Sequence, residues 1–287
     1  MKITNILSSG KVTVSCELFP PKHGSELDEA KTIVRDTAAL CPSFISITYN
    51  AGGGTSSYSV SLTDEAQNGC GITVLAHLTC FSSEWDTVQD VLAALKALKI
   101  ENILALRGDM PEDGQKVFGQ YHHASELMKD IRDYGGFCIG GACYPEGHPE
   151  ALTLHKDIES LKTKVDCGCE FLMTQMFFDN NILYNFLFQL LKNNIDIPVV
   201  AGIMPVTNAK QISRICKLSG TTLPPRFRAI VDKFSGNPAT MNQAGVAYAT
   251  EQIIDLVANG VNNIHIYTMN KPDIAGRIMN NLSEIFK

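Results

Sequence analysis

The sequence lacks any long apolar run and any cluster of positive charge. No apolar stretch approaches the roughly 20 residues that a membrane-spanning helix needs, and the first residues lead into no signal-peptide core. Lys and Arg number 24 against 30 Asp and Glu, so the formal net charge is −6. We therefore expect a cytoplasmic protein with neither a membrane nor a nucleic acid as its partner.

Cysteine is present without a framework that would suggest disulfides or metal. The nine cysteines are odd in number, scattered, and mostly placed inside apolar segments, which favours buried free thiols. Only Cys167 and Cys169 are closely spaced. A single C-x-C with no second cluster and no nearby histidine falls short of a zinc or iron–sulfur site, so we expect no metal.

Short apolar runs recur eight times, and helical spacing follows each of them. This alternation is typical of a parallel sheet covered by helices. The predicted strands are Val12–Phe19, Phe44–Thr48, Thr73–Leu78, Asn102–Leu106, Phe137–Ala142, Phe171–Gln175, Pro198–Ile203 and Asn263–Thr268. The clearest predicted helices are Trp85–Leu98, Ala124–Tyr134, His155–Val165 and Tyr248–Asn259. The long stretch between Gly202 and Asn263 predicts an additional helix and loop before the last strand.

A glycine fingerprint for nucleotide binding is also missing. An open, doubly wound sheet would normally carry a glycine-rich phosphate turn after its first strand. Here the first strand leads instead into Glu17-Leu-Phe-Pro-Pro-Lys22, and the glycines at 52–54 lack the required spacing. No linker divides the chain. We therefore predict an α/β protein with the fold of a (β/α)8 TIM barrel, forming a single domain over residues 1–287.

Polar residues gather where the predicted strands end. In the segment 104–111 an apolar strand leads directly into Arg107, Gly108 and Asp109. The carboxyl ends of the strands of a barrel converge on one face, where residues distant in sequence surround one ligand. Further polar residues at such ends are Glu17, Thr48, Tyr49, His77, Thr79, Tyr144, Glu146, His148, Gln175, Asp179, His265, Tyr267, Asn270 and Lys271.

Several of these residues also have a purely structural interpretation. His77 could be a hydrogen-bonded residue of the core, and Glu17 could pair with a charge at the barrel rim. Asp109 could cap the turn that follows it. His265 lies between two isoleucines on its strand, so its side chain could point into the barrel or away from it.

Eight short segments at these strand ends indicate a protein family more specifically as a set than any one of them does alone. They are Glu17–Lys22, Ile47–Asn50, His77–Thr79, Ala105–Asp109, Tyr144–Glu150, Gln175–Asp179, Gly202–Pro205 and His265–Asn270. In order and spacing, from about Val12 to the C-terminus, the set resembles methylenetetrahydrofolate reductase in its short bacterial form. The resemblance implies a barrel that carries FAD and reduces 5,10-methylenetetrahydrofolate to 5-methyltetrahydrofolate with electrons from NADH or NADPH.

The resemblance also implies roles for individual residues. FAD would be held by Thr48, Tyr49, Ala51, His77, Leu106, Arg107, Gly108, Asp109, Ala124, Tyr144, His148, Asp157, Ser160 and Lys164. Glu17 matches the catalytic acid, which would protonate N10 of the folate, and Asp109 matches a catalytic carboxylate between flavin and folate. The folate or nicotinamide would contact Glu17, Thr48, Asp109, Gln175, Gln211, Ile215 and Lys271.

Three positions depart from the pattern of the family. Ile215 stands where many relatives have an aromatic residue, Lys271 where they have arginine, and Ser160 where they often have asparagine. An isoleucine cannot stack on a ring and a lysine cannot make a planar bidentate contact, so the electron donor stays open between NADH, NADPH and a partner protein.

The resemblance leaves two alternative functions, which are a folate methyltransferase without flavin and a flavin-carrying subunit served by a partner protein. The resemblance to the reductase family also implies that the chain forms a homo-oligomer.

Overall fold

The computed structural model describes residues 1–49, 56–81, 83–108 and 120–286. The side chains at positions 56, 211, 213, 214 and 218 also lie outside the description. Two predicted site residues, Ala51 and Asp109, fall outside the described ranges, as does the side chain of Gln211. Their predicted roles therefore stay predictions.

Eight parallel strands close into a barrel in chain order, which confirms the predicted (β/α)8 fold. The strands are β1 (Thr13–Leu18), β2 (Phe44–Ile47), β3 (Val74–Thr79), β4 (Asn102–Leu106), β5 (Cys138–Cys143), β6 (Phe171–Thr174), β7 (Val199–Ile203) and β8 (Asn263–Tyr267). Each predicted strand is present, with its ends displaced by no more than one residue. In the register of the closed barrel, Glu17 of β1 lies opposite both Ser46 and Tyr267.

Helices surround the strands and also form the predicted insertion between β7 and β8. They are α1 (Ile3–Leu7), α2 (Leu27–Ala38), α3 (Ser56–Asp64), α4 (Trp85–Ala97), α5 (Ala124–Tyr134), α6 (Leu154–Asp166), α7 (Asn180–Lys192), α8 (Ala209–Ser219), α9 (Pro225–Phe234), α10 (Pro238–Ala258) and α11 (Pro272–Asn281). A 3-10 turn at Gly24–Glu26 precedes α2, and a π turn at Glu65–Gly69 follows α3. No helix in the described part of the chain is both long and apolar enough to cross a bilayer.

The predicted start of the last long helix at Tyr248 is wrong, because α10 begins at Pro238. The side chain of Asn237 caps the helix by accepting hydrogen bonds from the amides of Ala239 and Thr240, and Pro238 occupies the first helical position. Small residues allow this first half to pack closely, so it carries no amphipathic stripe. At Gly245 a Cβ would lie 2.0 Å from the carbonyl oxygen of Val206.

Apolar side chains fill the barrel interior near the amino-terminal ends of the strands. This cluster consists of Ile3, Leu7, Phe44, Leu75, Leu104, Cys138, Phe171, Met173 and Val200, with α1 closing the end of the barrel. Gly140 leaves the space that Phe171 occupies, since a Cβ there would lie 2.4 Å from the Cζ atom of that ring. All nine cysteines are free thiols and five are buried. The polar residues are therefore left to the opposite, carboxyl end of the strands.

Candidate active site

Glu17 is half-buried at the mouth of the barrel, between histidines from two other strands. Its carboxyl oxygen Oε2 lies 3.7 Å from Nε2 of His265 on β8 and 3.9 Å from Nε2 of His77 on β3. The side chain of Glu17 is 21% exposed, whereas His265 is fully buried. The closed barrel thus brings together Glu17 and His77, which were both predicted to lie in the site.

Two serines fix the orientation of His265. The hydroxyl of Ser15 donates to the carbonyl oxygen of Ile264 at 3.1 Å and lies 2.8 Å from Nδ1 of His265. The 2.8 Å contact is a hydrogen bond in either imidazole tautomer, and the tautomer decides which of the two groups donates. Ser46 lies 3.4 Å from Nε2 of the same ring. His265 therefore points into the barrel and directs Nε2 toward Glu17.

His77 is neutral near pH 7 and forms no ion pair with Glu17, although the two are close. Burial lowers the pKa of His77 to about 4, and the nearby Glu17 carboxylate offsets only part of that effect. Within the described part of the chain, His77 Nε2 and Thr79 Oγ1 are buried polar atoms with no hydrogen-bond partner. Such atoms are rare in proteins, and a bound ligand would satisfy them.

The low pKa of His77 predicts a pH dependence of stability. The unfolded chain takes up a proton near the ordinary pKa of 6.5, whereas the folded protein does so only near 4. As the pH falls from 6.5 to 4, the free energy of unfolding should therefore lose about 3 kcal/mol from this residue. Urea denaturation of the protein without added cofactor would measure the loss. The His77→Gln variant should lack this part of the decline, and parallel pH profiles for the two proteins would contradict the assignment.

The end of β4 forms a second part of the site. Arg107 makes a bidentate ion pair with Glu150, with nitrogen–oxygen distances of 2.7 and 2.6 Å. The next residue, Gly108, has a φ of +94°, and a Cβ there would lie 3.2 Å from Cβ of Thr79 and 3.3 Å from Cβ of Phe81. Glycine thus permits the backbone at position 108 to lie close to the end of β3.

The loop from β5 to α6 brings four predicted cofactor residues together. The rings of Tyr144 and His148 meet edge to face with centroids 4.6 Å apart, and the amide of His148 donates to Asp157 at 3.1 Å. Lys164 donates to the carbonyl oxygen of Ala142 at 2.7 Å. Burial lowers the pKa of both His148 and Lys164 and raises that of Asp157.

The other predicted cofactor residues lie on elements around this loop. Ala124 is the buried first residue of α5, and Leu106 is half-buried at the end of β4. Ser160 lies on the exposed surface of α6 and donates to the carbonyl oxygen of Lys156 at 3.0 Å. Tyr49 is half-buried after β2. The hydroxyl of Ser160 is therefore engaged within its own helix.

The predicted substrate residues lie on the remaining side of the mouth. Gln175 follows β6, and its Oε1 accepts a hydrogen bond from the amide of Met176 at 2.9 Å. Thr48 follows β2 and donates its amide to the carbonyl oxygen of Leu18. Ile215 packs on an apolar cluster that covers the ends of β6 and β7. Lys271 is exposed and donates to Thr207 at 3.2 Å.

Sequence reasoning missed the groups that hold these residues in place. Ser15 and Ser46 were not singled out, although Ser15 alternates with Glu17 on β1 and so shares its face of the sheet. Glu146 was singled out, but its partner was not: it accepts hydrogen bonds from the amide and hydroxyl of Thr222, the latter at 2.6 Å, and so joins the β5–α6 loop to the segment after α8. Glu146 and Thr222 lie 76 positions apart in the sequence, so no local sequence pattern predicts their contact.

Comparison with known proteins gives consistent matches. The sequence model of the family described as methylenetetrahydrofolate reductase matches residues 2–283. A rice protein named probable methylenetetrahydrofolate reductase (NADH) is 32% identical over 300 residues, which cover 99% of this chain and 50% of the rice protein. The chain thus spans about half the length of its plant relatives. The 5,10-methylenetetrahydrofolate reductases of Pectobacterium carotovorum and Escherichia coli K12 are 30% and 29% identical, with 91% of each covered.

A solved structure matches the whole fold. It is an uncharacterized protein from Clostridium thermocellum, described as binding two copies of 5-methyl-5,6,7,8-tetrahydrofolic acid. The two chains superpose with a TM-score of 0.63 over 100% of this chain and 99% of the other, at 14% sequence identity. At that identity the match supports the barrel fold alone.

Proposed function

Because this chain belongs to the methylenetetrahydrofolate reductase family, we propose that it reduces 5,10-methylenetetrahydrofolate to 5-methyltetrahydrofolate with bound FAD. The observation that carries the proposal is the position of Glu17. Its carboxyl group lies at the mouth of the barrel, within 4 Å of two buried imidazoles, of which His77 is neutral. From this position the carboxyl group can deliver a proton to a ligand bound in the mouth, which is what a general acid must do.

The residues at the mouth fit FAD. Buried polar atoms of His77 and Thr79 have no partner among the described residues, and Gly108 lets the backbone after β4 lie close to the end of β3. An anionic diphosphate requires basic side chains, and Arg107 and Lys164 are the ones among these residues; in this structure Arg107 is paired with Glu150. We assign the cofactor contacts to Thr48, Tyr49, Ala51, His77, Leu106, Arg107, Gly108, Asp109, Ala124, Tyr144, His148, Asp157, Ser160 and Lys164. FAD, when bound, supplies the hydride that converts the methylene group into a methyl group.

Glu17 performs the acid step in this proposal. Its carboxyl group delivers a proton to N10 of the folate, so that the bond from N10 to the methylene carbon breaks and an electrophilic iminium remains at N5. Asp109 orients the pterin and keeps negative charge near the flavin. We assign the remaining folate contacts to Gln175, Gln211, Thr48, Ile215 and Lys271.

For the electron donor we propose NADH or NADPH, which would bind in the same pocket as the folate in alternate steps. Ile215 and Lys271 favour one further candidate, because neither can make the stacking or bidentate contact expected at its position. In that alternative, a partner protein delivers the electrons to the flavin. We also propose that the chain forms a single domain over residues 1–287, that it is located in the cytoplasm, and that it self-associates.

An anaerobic spectrum would test the proposal directly. The FAD-loaded protein is reduced chemically, and the spectrum is recorded before and after addition of 5,10-methylenetetrahydrofolate. We expect the absorption of oxidised flavin to return while 5-methyltetrahydrofolate forms. A flavin that binds but stays reduced would contradict the folate reaction, and a protein that binds no flavin would favour the methyltransferase alternative. To identify the donor, NADH and NADPH are then added separately to the oxidised, FAD-loaded protein. Reduction of the flavin by one of them identifies that nucleotide as the donor, and reduction by neither favours a partner protein.

A further inference from the structure

The turn after β8 has an unusual backbone. Met269 and Asn270 both lie in the left-handed region, with φ values of +54° and +55°. Residues other than glycine rarely adopt this conformation, and two in succession are rarer still. Strain of this kind persists only where the surrounding structure imposes it, and it is concentrated at functional sites. The turn therefore calls for a physical reason.

The turn directs the side chain of Asn270 onto the backbone of Phe19, the residue that follows β1. Its Oδ1 accepts a hydrogen bond from the amide of Phe19 at 2.9 Å, and its Nδ2 donates to the carbonyl oxygen of Phe19 at 2.9 Å. Both bonds require this orientation of the amide, since a backbone N–H can only donate and a carbonyl can only accept. The side chain thus extends the pairing of β8 with β1 beyond the last residues of the two strands.

These bonds lie immediately beyond Glu17. Thr268 donates its hydroxyl to the carbonyl oxygen of Glu17 at 2.6 Å. The side chains of Thr268 and Asn270 therefore bind the backbone at Glu17 and at Phe19, where the chain leaves β1. On the other edge of β1, the amide of Thr48 donates to the carbonyl oxygen of Leu18. The side chain of Phe19 is itself 39% exposed, so its packing contributes little to fixing this segment.

We propose that Asn270 is a positioning residue for Glu17, an inference that rests on the proposed reductase function. Asn270 fixes the end of β1 so that the carboxyl group of Glu17 faces N10 of the folate. The strained turn is retained because it brings the Asn270 amide to Phe19. Asn270 is therefore required for reduction of the folate, and it is not required when the reduced flavin passes its electrons to an acceptor that takes no proton from Glu17.

Two glycine variants separate the hydrogen bonds from the backbone strain. Asn270→Gly removes the amide and accepts the left-handed conformation without strain, so the fold is not put at risk. Met269→Gly relieves the strain at the neighbouring position and keeps the amide, and the side chain that it removes is 37% exposed. Asn270→Asp keeps the acceptor for the Phe19 amide but places an oxygen against the Phe19 carbonyl.

The experiment follows flavin reoxidation in the chemically reduced, FAD-loaded protein by stopped flow. With 5,10-methylenetetrahydrofolate as the acceptor, Asn270→Gly and Asn270→Asp should be about 10- to 100-fold slower than the unaltered protein, because a small displacement of a catalytic group has effects of this order. With a small quinone as the acceptor, all three variants should match the unaltered protein. Met269→Gly should match it with both acceptors.

Three results would overturn the inference. They are an unchanged folate rate in Asn270→Gly, an equal loss with folate and quinone, and a loss in Met269→Gly as large as that in Asn270→Gly. Failure of the unaltered protein to reoxidise with folate, while the quinone still reacts, would instead reject the proposed function. The failure of the inference and the failure of the function are therefore distinguishable.

Discussion

Replacing Glu17 with glutamine should abolish reduction of 5,10-methylenetetrahydrofolate and leave reduction of the flavin by its electron donor intact. Glutamine keeps the size of the side chain and its place beside His77 and His265, but it cannot release a proton to N10 of the folate. Loss of a general acid reduces a rate by about 10²- to 10⁴-fold. The two half-reactions, measured separately by stopped flow on the FAD-loaded variant, would give the comparison.

A surface glutamate with no assigned role in the site provides the control for that variant. Glu251 is exposed on α10 and pairs with Arg226 of α9, at 2.7 Å from its guanidinium. The Glu251→Gln variant should keep both half-reactions, since an exposed ion pair contributes little to stability. An equal loss of folate and donor reactions in Glu17→Gln would show that Glu17 supports the structure of the whole pocket and does not act as the acid.

The barrel and the position of its mouth were predictable because they depend on local patterns. Each strand is a short apolar run, buried on both sides, and the helices that follow it have an amphipathic face. Once the barrel closes, the carboxyl ends of all eight strands meet on one face. Glu17, His77 and Gln175 follow from that rule alone, and the structure places all three at the mouth.

Contacts that depend on closure of the barrel could not be predicted. His265 lies between two isoleucines, so the sequence left its direction open, and only the pairing of β8 with β1 turns its ring toward Ser15 and Glu17. The bonds from Thr268 and Asn270 to the end of β1 each join residues 251 positions apart. The start of α10 was mistaken for a similar reason, because tertiary packing around Gly245 replaces the amphipathic pattern.

Gly202 belongs to the same group, since nothing in its sequence neighbourhood reveals how little room surrounds it. Its amide donates to the hydroxyl of Thr174 at 2.8 Å, and the hydroxyl of Tyr267 passes over it to donate to the carbonyl oxygen of Thr174 at 2.6 Å. A Cβ at position 202 would lie 2.5 Å from that carbonyl oxygen and 2.6 Å from the Tyr267 ring. Glycine there is what allows Tyr267 to cross from β8 to β6.

Gly202→Ala should therefore destabilise the protein by about 3 kcal/mol, the upper end of the usual cost of overpacking a core. Urea denaturation would measure the loss as a lower midpoint with an unchanged slope. Gly236→Ala is the matched control, because a Cβ at that position meets nothing within 4 Å, and its midpoint should not move. Equal stability of Gly202→Ala and the unaltered protein would show that the barrel relaxes at no cost.

A second substitution, at Tyr267, would test whether the Tyr267 ring and an alanine at position 202 compete for the same space. The Tyr267 ring contacts the His265 ring edge to face, with centroids 5.2 Å apart, and His265 in turn lies beside Glu17. Tyr267→Leu alone loses the bond to Thr174, but it also frees part of the space that the alanine at 202 needs. The double variant should therefore be less destabilised than the sum of the two single variants. Strictly additive losses would mean that Tyr267 does not compete with the alanine for this space.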